Sequence, residues 1–493
     1  MLYEFLLAST VLCLTYNIYK YMVKKTIKLP GPRGLPIIGN IHSFILGGGP
    51  VWQVQKWAKE YGDAFKISIL GAEIVILSDY DSIYDALVVR SNDFAGRPFD
   101  KSYGVKEWFN SNIATNDFTP TFRTYKKLGL RGLKQHGDGI SRIVNISNEN
   151  ISQTVKEFKE ENGEPFQPHM KLQNLLCRII VCMLLGENTP YEENDGEFAR
   201  RWLDDLEVAT NGPFFYLLEM FPVTRFFGNP VYPKMTELME CRDKHFTEWI
   251  ERFKLHKQES GERTLIDELL IAKDEGTITD DGIFGIMTDT FSAGVFTTFT
   301  TTSGFLLAMT NYPDIQNNLH KEIDCVIGKE QLPELSDREK MPYMEATILE
   351  TLRYMSIVAT NVPHKTTCDT HIAGCDIPKG TQVWMNLYGM HHDKRYFKHN
   401  PDSFDPTRFL ESDGNLVPHE ERKALLAFGA GRRVCMGEVL AKTRMFLLFT
   451  QLLQNFHFEH ADPKNPVLFD MRKFITSPTL LLTPKFKIVA KPR

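Results

Sequence analysis

The residues whose types and spacing most directly imply chemistry lie late in the chain, in FGAGRRVCMG at residues 428–437. Gly429 and Gly431 permit a tight, positive-φ turn. Arg433 brings charge, and Cys435 precedes the apolar run EVLAKTRMFLLFTQLL. If that run is a helix, Cys435 lies at its N-terminus, where free N–H groups and the helix dipole favour a thiolate. Gly437 would let a flat ligand lie close to the backbone, and Phe428 could shield the sulfur. A single thiolate on a glycine-shaped loop suits an axial ligand to haem iron. An isolated cysteine is more often an inert buried thiol, so the surrounding residues must decide between the two.

A second pattern is ETLR, in which Glu350 and Arg353 stand three apart on one helical face. A surface ion pair is the ordinary outcome of that spacing. A third is the stretch 280–312, uninterrupted by proline until Pro313. As a helix it would run about 48 Å, enough to cross a domain. Its middle, FSAGVFTTFTTTSGF at 291–305, holds glycines and threonines that propensity alone would not keep helical. With hydroxyls bonded back to carbonyls, such a helix can open locally and leave space beside it.

The elements around these motifs read as mostly α, in an α+β arrangement. AFKISILGAEIVILSD at 64–79 alternates β-formers around Gly71 and predicts a hairpin. From about 80 to 355 apolar residues recur at three- and four-residue spacing, which predicts helices. Strand character returns at 370–386 and 478–491, and KLHKQESGERT at 254–264 is polar enough for an exposed loop. With no repeat and no composition break, one large domain is expected over residues 37–493. Composition fits a folded chain of 493 residues: 42% hydrophobic, 24% charged, net charge −5. That balance excludes disorder or a polytopic membrane protein as the main body and gives no reason to expect nucleic acid as a partner. Eight cysteines in such a length argue against a disulfide framework, and Cys177, Cys182, Cys241, Cys325, Cys368 and Cys375 read as unpaired thiols. His391-His392-Asp393 has no second ligand pair at zinc spacing and reads as a turn.

The N-terminal segment departs from the average. No charge occurs over residues 5–19, a run of only about 22 Å as a helix. Extended over 1–23 with Lys20 snorkelling, it reads as a membrane anchor helix. Lys24, Lys25 and Lys28 would hold the following chain on the cytoplasmic side. A cleaved signal peptide is the alternative, but the positive charge follows the apolar run instead of preceding it. LPGPRGLP completes a basic, proline-rich linker over 24–36.

The stretch 428–437 fits FxxGxRxCxG at every fixed position and resembles the haem-binding loop of the cytochromes P-450, the haem-thiolate monooxygenases. ETLR is similar to the family's ExxR pair, and PTRF at 406–409 supplies Arg408 as third member of a buried Glu–Arg–Arg cluster. The resemblance spans about residues 30–490. It implies the cytochrome P-450 fold, a helical domain with small β-sheets around a buried haem b (iron protoporphyrin IX), with Cys435 as axial ligand. It also implies electrons from NADPH through NADPH-cytochrome P-450 reductase, cytochrome b5 as a further candidate partner, and a catalytic domain on the cytosolic face of the endoplasmic reticulum membrane. By position, the propionate partners would be Arg97, Lys126, His364 and Arg433. Two positions depart from the family: Phe122 stands for the usual Trp, and Lys126 for the usual Arg, losing an indole donor and a bidentate fork. Lys126, Lys127, Arg131 and Lys134 recur at roughly helical spacing and offer either a reductase dock or a solvated face.

The family's oxygen-activating motif carries an acid before its threonine. Here Ala293-Gly294-Val295-Phe296-Thr297-Thr298 keeps Thr297 and puts Phe296 in the acid's place. Two enzymatic readings follow: a monooxygenase relying on Thr297 and ordered water, or an atypical member that rearranges or dehydrates an already oxygenated lipid. A non-catalytic haem-binding protein on the membrane is the third. The expected pocket, including Ala293, Phe296 and Val362, is mostly apolar and suits a hydrophobic small molecule such as a steroid, lipid or xenobiotic. The stretches FAGRP, NVPHKT and FGAGRRVC look most like the microsomal branch of steroid and xenobiotic hydroxylases.

Overall fold

A computed structural model of the chain describes residues 27–36, 38–133, 138–186, 189–257, 263–476 and 480–493. The expected anchor over 1–23 lies outside the described residues, as do Lys24 and Lys25 of the linker. No helix among the described residues is long and apolar enough to cross a membrane. The single domain expected over 37–493 is distributed over two compact units. The first comprises the described residues through Pro98, Val358–Met390 and Gly429–Arg433; the second comprises Phe99–Ile357, His391–Phe428 and Val434–Arg493.

In the first unit, β-branched and aromatic residues alternating with polar ones form the predicted hairpin. Strands β1 (Ala64–Ile69) and β2 (Ala72–Leu77) pair antiparallel from Ala64↔Leu77 to Ile69↔Ala72. Leu70 and Gly71 both take positive φ, at 49° and 75°, so the two-residue turn twists with its strands. The sheet continues with β3 (His364–Lys365), reached through β6 (Gln382–Met385), in the order β1-β2-β6-β3. Between them, β4 (Thr370–Ile372) and β5 (Cys375–Ile377) form a separate hairpin. Helix α1 (Pro50–Tyr61) starts on proline and buries Val54 and Trp57 against Phe65, Ile67, Ile74, Ile76 and Trp384. Each such side chain contributes about 1.5–3 kcal/mol by leaving water. The proline-rich segment is extended, as its ring constraints require, and it is fastened to the hairpin. The Lys66 N–H donates to the Pro30 carbonyl at 2.8 Å, and the Ile27 N–H to Glu73 Oε2 at 3.1 Å.

The second unit is helical apart from two small sheets. One pairs β7 (Phe456–His460) with β10 (Ile488–Pro492); the other pairs β8 (Ile475–Thr476) with β9 (Leu481–Leu482). The helices that position the candidate site are α2 (Pro120–Leu133), α3 (His169–Leu185), α4 (Asp280–Asn311), α5 (Pro342–Met355) and α6 (Glu438–Asn455). The 32-residue α4 matches its expected span to within one residue. Thr279 caps it by accepting from the Gly282 N–H, and Asp280 and Asp281 suit the positive end of its dipole. Its poor helix formers are there for packing. A Cβ on Gly294 would run into Ile180 of α3, and one on Gly304 into Met355 of α5. Phe305 of α4 stacks on Phe449 of α6 with ring centroids 3.7 Å apart. The expected back-bonding is present: the hydroxyls of Thr288, Thr290, Ser292, Thr297 and Thr301 each donate to the carbonyl four residues earlier.

Candidate functional site

The cysteine loop takes the shape its glycines predict. Gly429 and Gly431 have φ of 70° and 67°, and Gly431–Arg433 forms a single 3-10 turn. In the second unit, the Cys435 N–H donates to the Phe428 carbonyl at 3.0 Å, which fixes the sulfur relative to the phenyl ring. Lys442, one turn into α6, places its Nζ 5.4 Å from the centre of that ring. Gly437 is the N-cap of α6, so Cys435 stands just before the helix, at the N-terminal position expected of it. Cys435 keeps exposed surface on one side, yet protein crowds the Sγ enough that desolvation pushes the thiol above its ordinary value. The Gly437 N–H, Lys126 and Arg444 pull it down and Glu438 pushes it up, but these do not reverse the burial. Coordination to a metal deprotonates such a thiol outright.

An accessible stretch of α4, which is an unbroken helix, lies in the same unit. Ala293 is exposed and Phe296 and Thr297 are half-buried, at spacings of three and four that put them on one face. Every residue from 298 to 310 is buried. Thr297 Oγ1 donates to the Ala293 carbonyl at 2.8 Å. On α2, Phe122 is buried and Lys126 half-buried, one turn apart. Lys127 and Arg131 are exposed on that helix, and Lys134 lies outside the described residues.

The first unit gathers the other expected cations. Residues 94–97 and 362–365 are cross-linked by the Gly96↔Lys365 bridge, with N–H···O bonds of 3.0 and 2.9 Å. On this frame Arg97 donates to the carbonyls of Val362 (3.0 Å) and Pro363 (2.9 Å), and Arg433 Nε to that of Ala95 (2.7 Å). His364 Nδ1 donates to the Phe94 carbonyl at 2.7 Å. Burial, with Arg97 and Arg433 adding to it, holds His364 well below its usual value. The ring, expected among the cations, is therefore neutral by itself; its Nε2 could donate to a carboxylate only after gaining a proton.

The ExxR pair is not the surface ion pair its spacing alone would allow. Glu350 and Arg353 have no exposed side-chain surface, and Arg408 has 2%. Arg353 donates twice to Glu350 at 2.7 Å, and also to the carbonyls of His391 and Pro401 (both 2.8 Å) and Ser403 (3.1 Å). Arg408 adds a 3.1 Å bond to Glu350 and reaches the carbonyls of Lys398 and Asn400. The cluster thus fastens α5 to the segment that leads into the cysteine loop.

Three participants were not read from the sequence. His391 ends a short helix, Leu387–His391, and is fully buried. Its Nδ1 meets Ser356 Oγ at 2.7 Å, while Nε2 accepts from the Leu426 N–H at 3.1 Å. Because the Ser356 hydroxyl donates to the Arg353 carbonyl, the imidazole proton sits on Nδ1. Among the described residues, no cluster of three or more His, Cys, Asp or Glu side chains could hold a metal ion. Asp289, the one charged residue of 282–311, accepts from Asn112 Nδ2 at 2.7 Å and the Ala114 N–H at 2.9 Å. That solitary charge was the available signal. Arg444, a charge inside an apolar run, is buried and bonds α4 at Gly294 O and Thr298 Oγ1, both at 3.2 Å.

These residues fit a flat, iron-centred dianion. A Cβ on Gly437 would meet only Cys435 Sγ, at 4.0 Å, so the space over that glycine is open. The second unit offers one soft sulfur, and the first unit, taken by itself, gathers guanidinium groups of the kind that bind carboxylates. Comparison with known proteins agrees. The Cytochrome P450 family model matches residues 29–487. Cytochrome P450 1A1 of Canis lupus familiaris is 32% identical over 486 residues, covering 92% of this chain and 90% of that protein. Cytochrome P450 1A2 of Mus musculus is 30% identical, covering 92% and 91%. Steroid 17-alpha-hydroxylase/17,20 lyase of Squalus acanthias is 29% identical over the same shares of each chain. With the family model matched across nearly its whole length, the chain belongs to the cytochrome P450 family of haem-thiolate monooxygenases and resembles its microsomal, steroid- and xenobiotic-oxidising branch.

Proposed function

We propose that this protein is an NADPH- and O2-dependent monooxygenase that hydroxylates a hydrophobic substrate at a haem ligated by Cys435. The family uses haem b with electrons delivered from NAD(P)H by a reductase. The observation that carries the reading is that the second unit holds both an exposed cysteine bonded back to Phe428 and the accessible Ala293–Phe296–Thr297 face of α4. When bound, the haem supplies reductive activation of O2 and transfer of one oxygen atom to a C–H bond.

The chain's own residues have separable roles. Cys435 ligates through Sγ, Gly437 admits the flat ring, and Phe428 keeps water from the sulfur. Arg97, Lys126, His364 and Arg433 meet the propionates. Thr297 holds a proton on its hydroxyl, now given to the Ala293 carbonyl. To pass it on it must release that carbonyl and accept a replacement from water. Phe296 offers no proton and excludes water instead. With Ala293 it presents apolar surface to a steroid, lipid or xenobiotic. The names of the relatives, which include a steroid hydroxylase, favour that class. The partners proposed are NADPH-cytochrome P-450 reductase and cytochrome b5. The location proposed is the endoplasmic reticulum membrane, entered by residues 1–23, with the catalytic domain on the cytosolic face.

The test is O2 uptake dependent on NADPH and reductase and matched by product. Phe296 favours one other reading, rearrangement or dehydration of a pre-oxygenated lipid. Turnover of an organic hydroperoxide with no activity from NADPH would establish that reading and overturn the first.

A further inference from the structure

Arg444 is 2% exposed and lies inside the second unit on α6. One nitrogen, Nη2, donates to the Gly294 carbonyl and Thr298 Oγ1, both at 3.2 Å. Its Nε and Nη1 are buried without a hydrogen-bond partner. No carboxylate among the described residues lies in ion-pair range of it. A buried guanidinium is normally paired, because taking a charge out of water is costly unless an opposite charge compensates.

A candidate anion on the same run of chain is Cys435, nine residues before Arg444. Arg444 stands six residues into α6 from Glu438, about 9 Å along the axis, and helical side chains lean back toward the N-terminus. That direction leads to the cysteine loop. Burial holds the guanidinium down, to about 10, and the Cys435 sulfur is the group that acts against this.

We propose that Arg444 is the buried counter-charge of the Cys435 thiolate and a positioning residue for the haem iron, raising its ferric/ferrous reduction potential. This rests on the haem-thiolate reading above. A ferric porphyrin with one thiolate ligand is formally neutral at its core. Uptake of one electron makes the core −1, so a fixed positive charge in a low-dielectric surrounding favours the reduced form. The same charge draws density from the sulfur and weakens its donation to iron. Its two bonds to α4 hold the charge beside the helix turn that carries Thr297.

The experiment is a mediated redox titration of the haem-loaded protein and its Arg444→Gln, Arg444→Lys and Thr298→Val variants. Each is paired with the spectrum of its reduced carbon monoxide complex. Removing an unpaired buried cation is not expected to prevent folding. Arg444→Gln should lower the potential, while Arg444→Lys and Thr298→Val, which keep the charge, should stay near the parent. A parental potential in Arg444→Gln overturns the proposal, and so does an equal shift in all three variants, which would assign the effect to helix contacts. Thr298→Val alone shifting the potential also overturns it, and that arm does not depend on an Arg444 variant folding. The carbon monoxide spectrum separates the two claims. Without a thiolate-type band in the parent the haem-thiolate reading itself fails; with the band present and the potential unmoved, only the role of Arg444 fails.

Discussion

Glu350 and Arg353 meet through two 2.7 Å hydrogen bonds with no side-chain surface exposed on either. Arg408 reaches the same carboxylate at 3.1 Å. Glu350→Gln would leave two buried guanidinium groups around a neutral amide. Breaking a buried pair from one side costs about 3–5 kcal/mol. Arg353→Lys fails differently: one ammonium cannot supply a carboxylate fork and three carbonyls together. Both variants should lose stability of that order in denaturant unfolding and accumulate little haem. Parental unfolding midpoints would show that the cluster carries no such weight.

His391 links the same helix to the cysteine loop, through Ser356 on one side and the Leu426 N–H on the other. Burial, helped by the charge of Arg353, holds its imidazole down to about 3. The folded state therefore prefers the neutral ring. The stability this gives is fully present above the unfolded value near 6.5 and is lost as pH falls toward 3. The loss is about 1.4 kcal/mol per pH unit below 6.5. In His391→Gln that dependence is absent, so the stability gap between parent and variant should narrow with this slope from pH 6.5 to 4.5. A constant gap would mean that the ring does not stay neutral.

What the sequence made legible was local or spaced by motif. The hairpin, the span of α4, the glycine turn and the ExxR spacing each arise from neighbours in the chain. Arg408 was found only because the family resemblance supplied its partner 58 residues away. His391, Asp289 and Arg444 were missed because their significance is tertiary. A histidine three places from a loop, a carboxylate in a threonine-rich run and an arginine in an apolar run have no periodicity that names their partners. The surroundings of Cys435 are tertiary in the same way: the helix terminus is visible in sequence, while the crowding that raises the thiol is not.

Asp289 should show the opposite pH behaviour to His391. Burial raises its carboxyl to about 6 despite the bonds from Asn112 and Ala114. Its contribution to stability is greatest below the unfolded value near 3.8 and is lost as pH rises through about 6. Asp289→Asn removes this dependence. Relative to the parent, the variant should gain up to about 3 kcal/mol between pH 4 and 7. Amide exchange over residues 109–116 should change with pH in the parent and not in the variant. Parallel pH–stability curves for the two proteins would refute the raised carboxyl.

The family resemblance implies that Phe122 and Lys126 stand where a Trp and an Arg are usual. If Lys126 meets a propionate, Lys126→Arg offers a fork in place of a point charge. Adding Phe122→Trp restores an indole donor one turn away. Transfer of haem to an excess apo-acceptor should slow several-fold in Lys126→Arg and further in the double variant. An unchanged transfer rate would remove Lys126 from the propionate set.

The open face of α4 discriminates between the two enzymatic readings, because they ask different things of neighbouring residues. A monooxygenase needs protons delivered beside Thr297, and Phe296 supplies none. Phe296→Asp places a carboxylate on the same half-buried face, where it could feed the hydroxyl that now donates to Ala293. Product formed per NADPH should then rise. Thr297→Ala should lower it by about 100-fold, the lower end of the usual range for a positioned proton donor. An enzyme that rearranges a hydroperoxide consumes no delivered protons at that position. Its turnover would be unmoved by Thr297→Ala and impaired by Phe296→Asp, because a charge would enter an apolar pocket. Measuring both variants with NADPH and reductase, and again with hydroperoxide, assigns the reaction class from the direction of the change, whichever substrate the pocket takes.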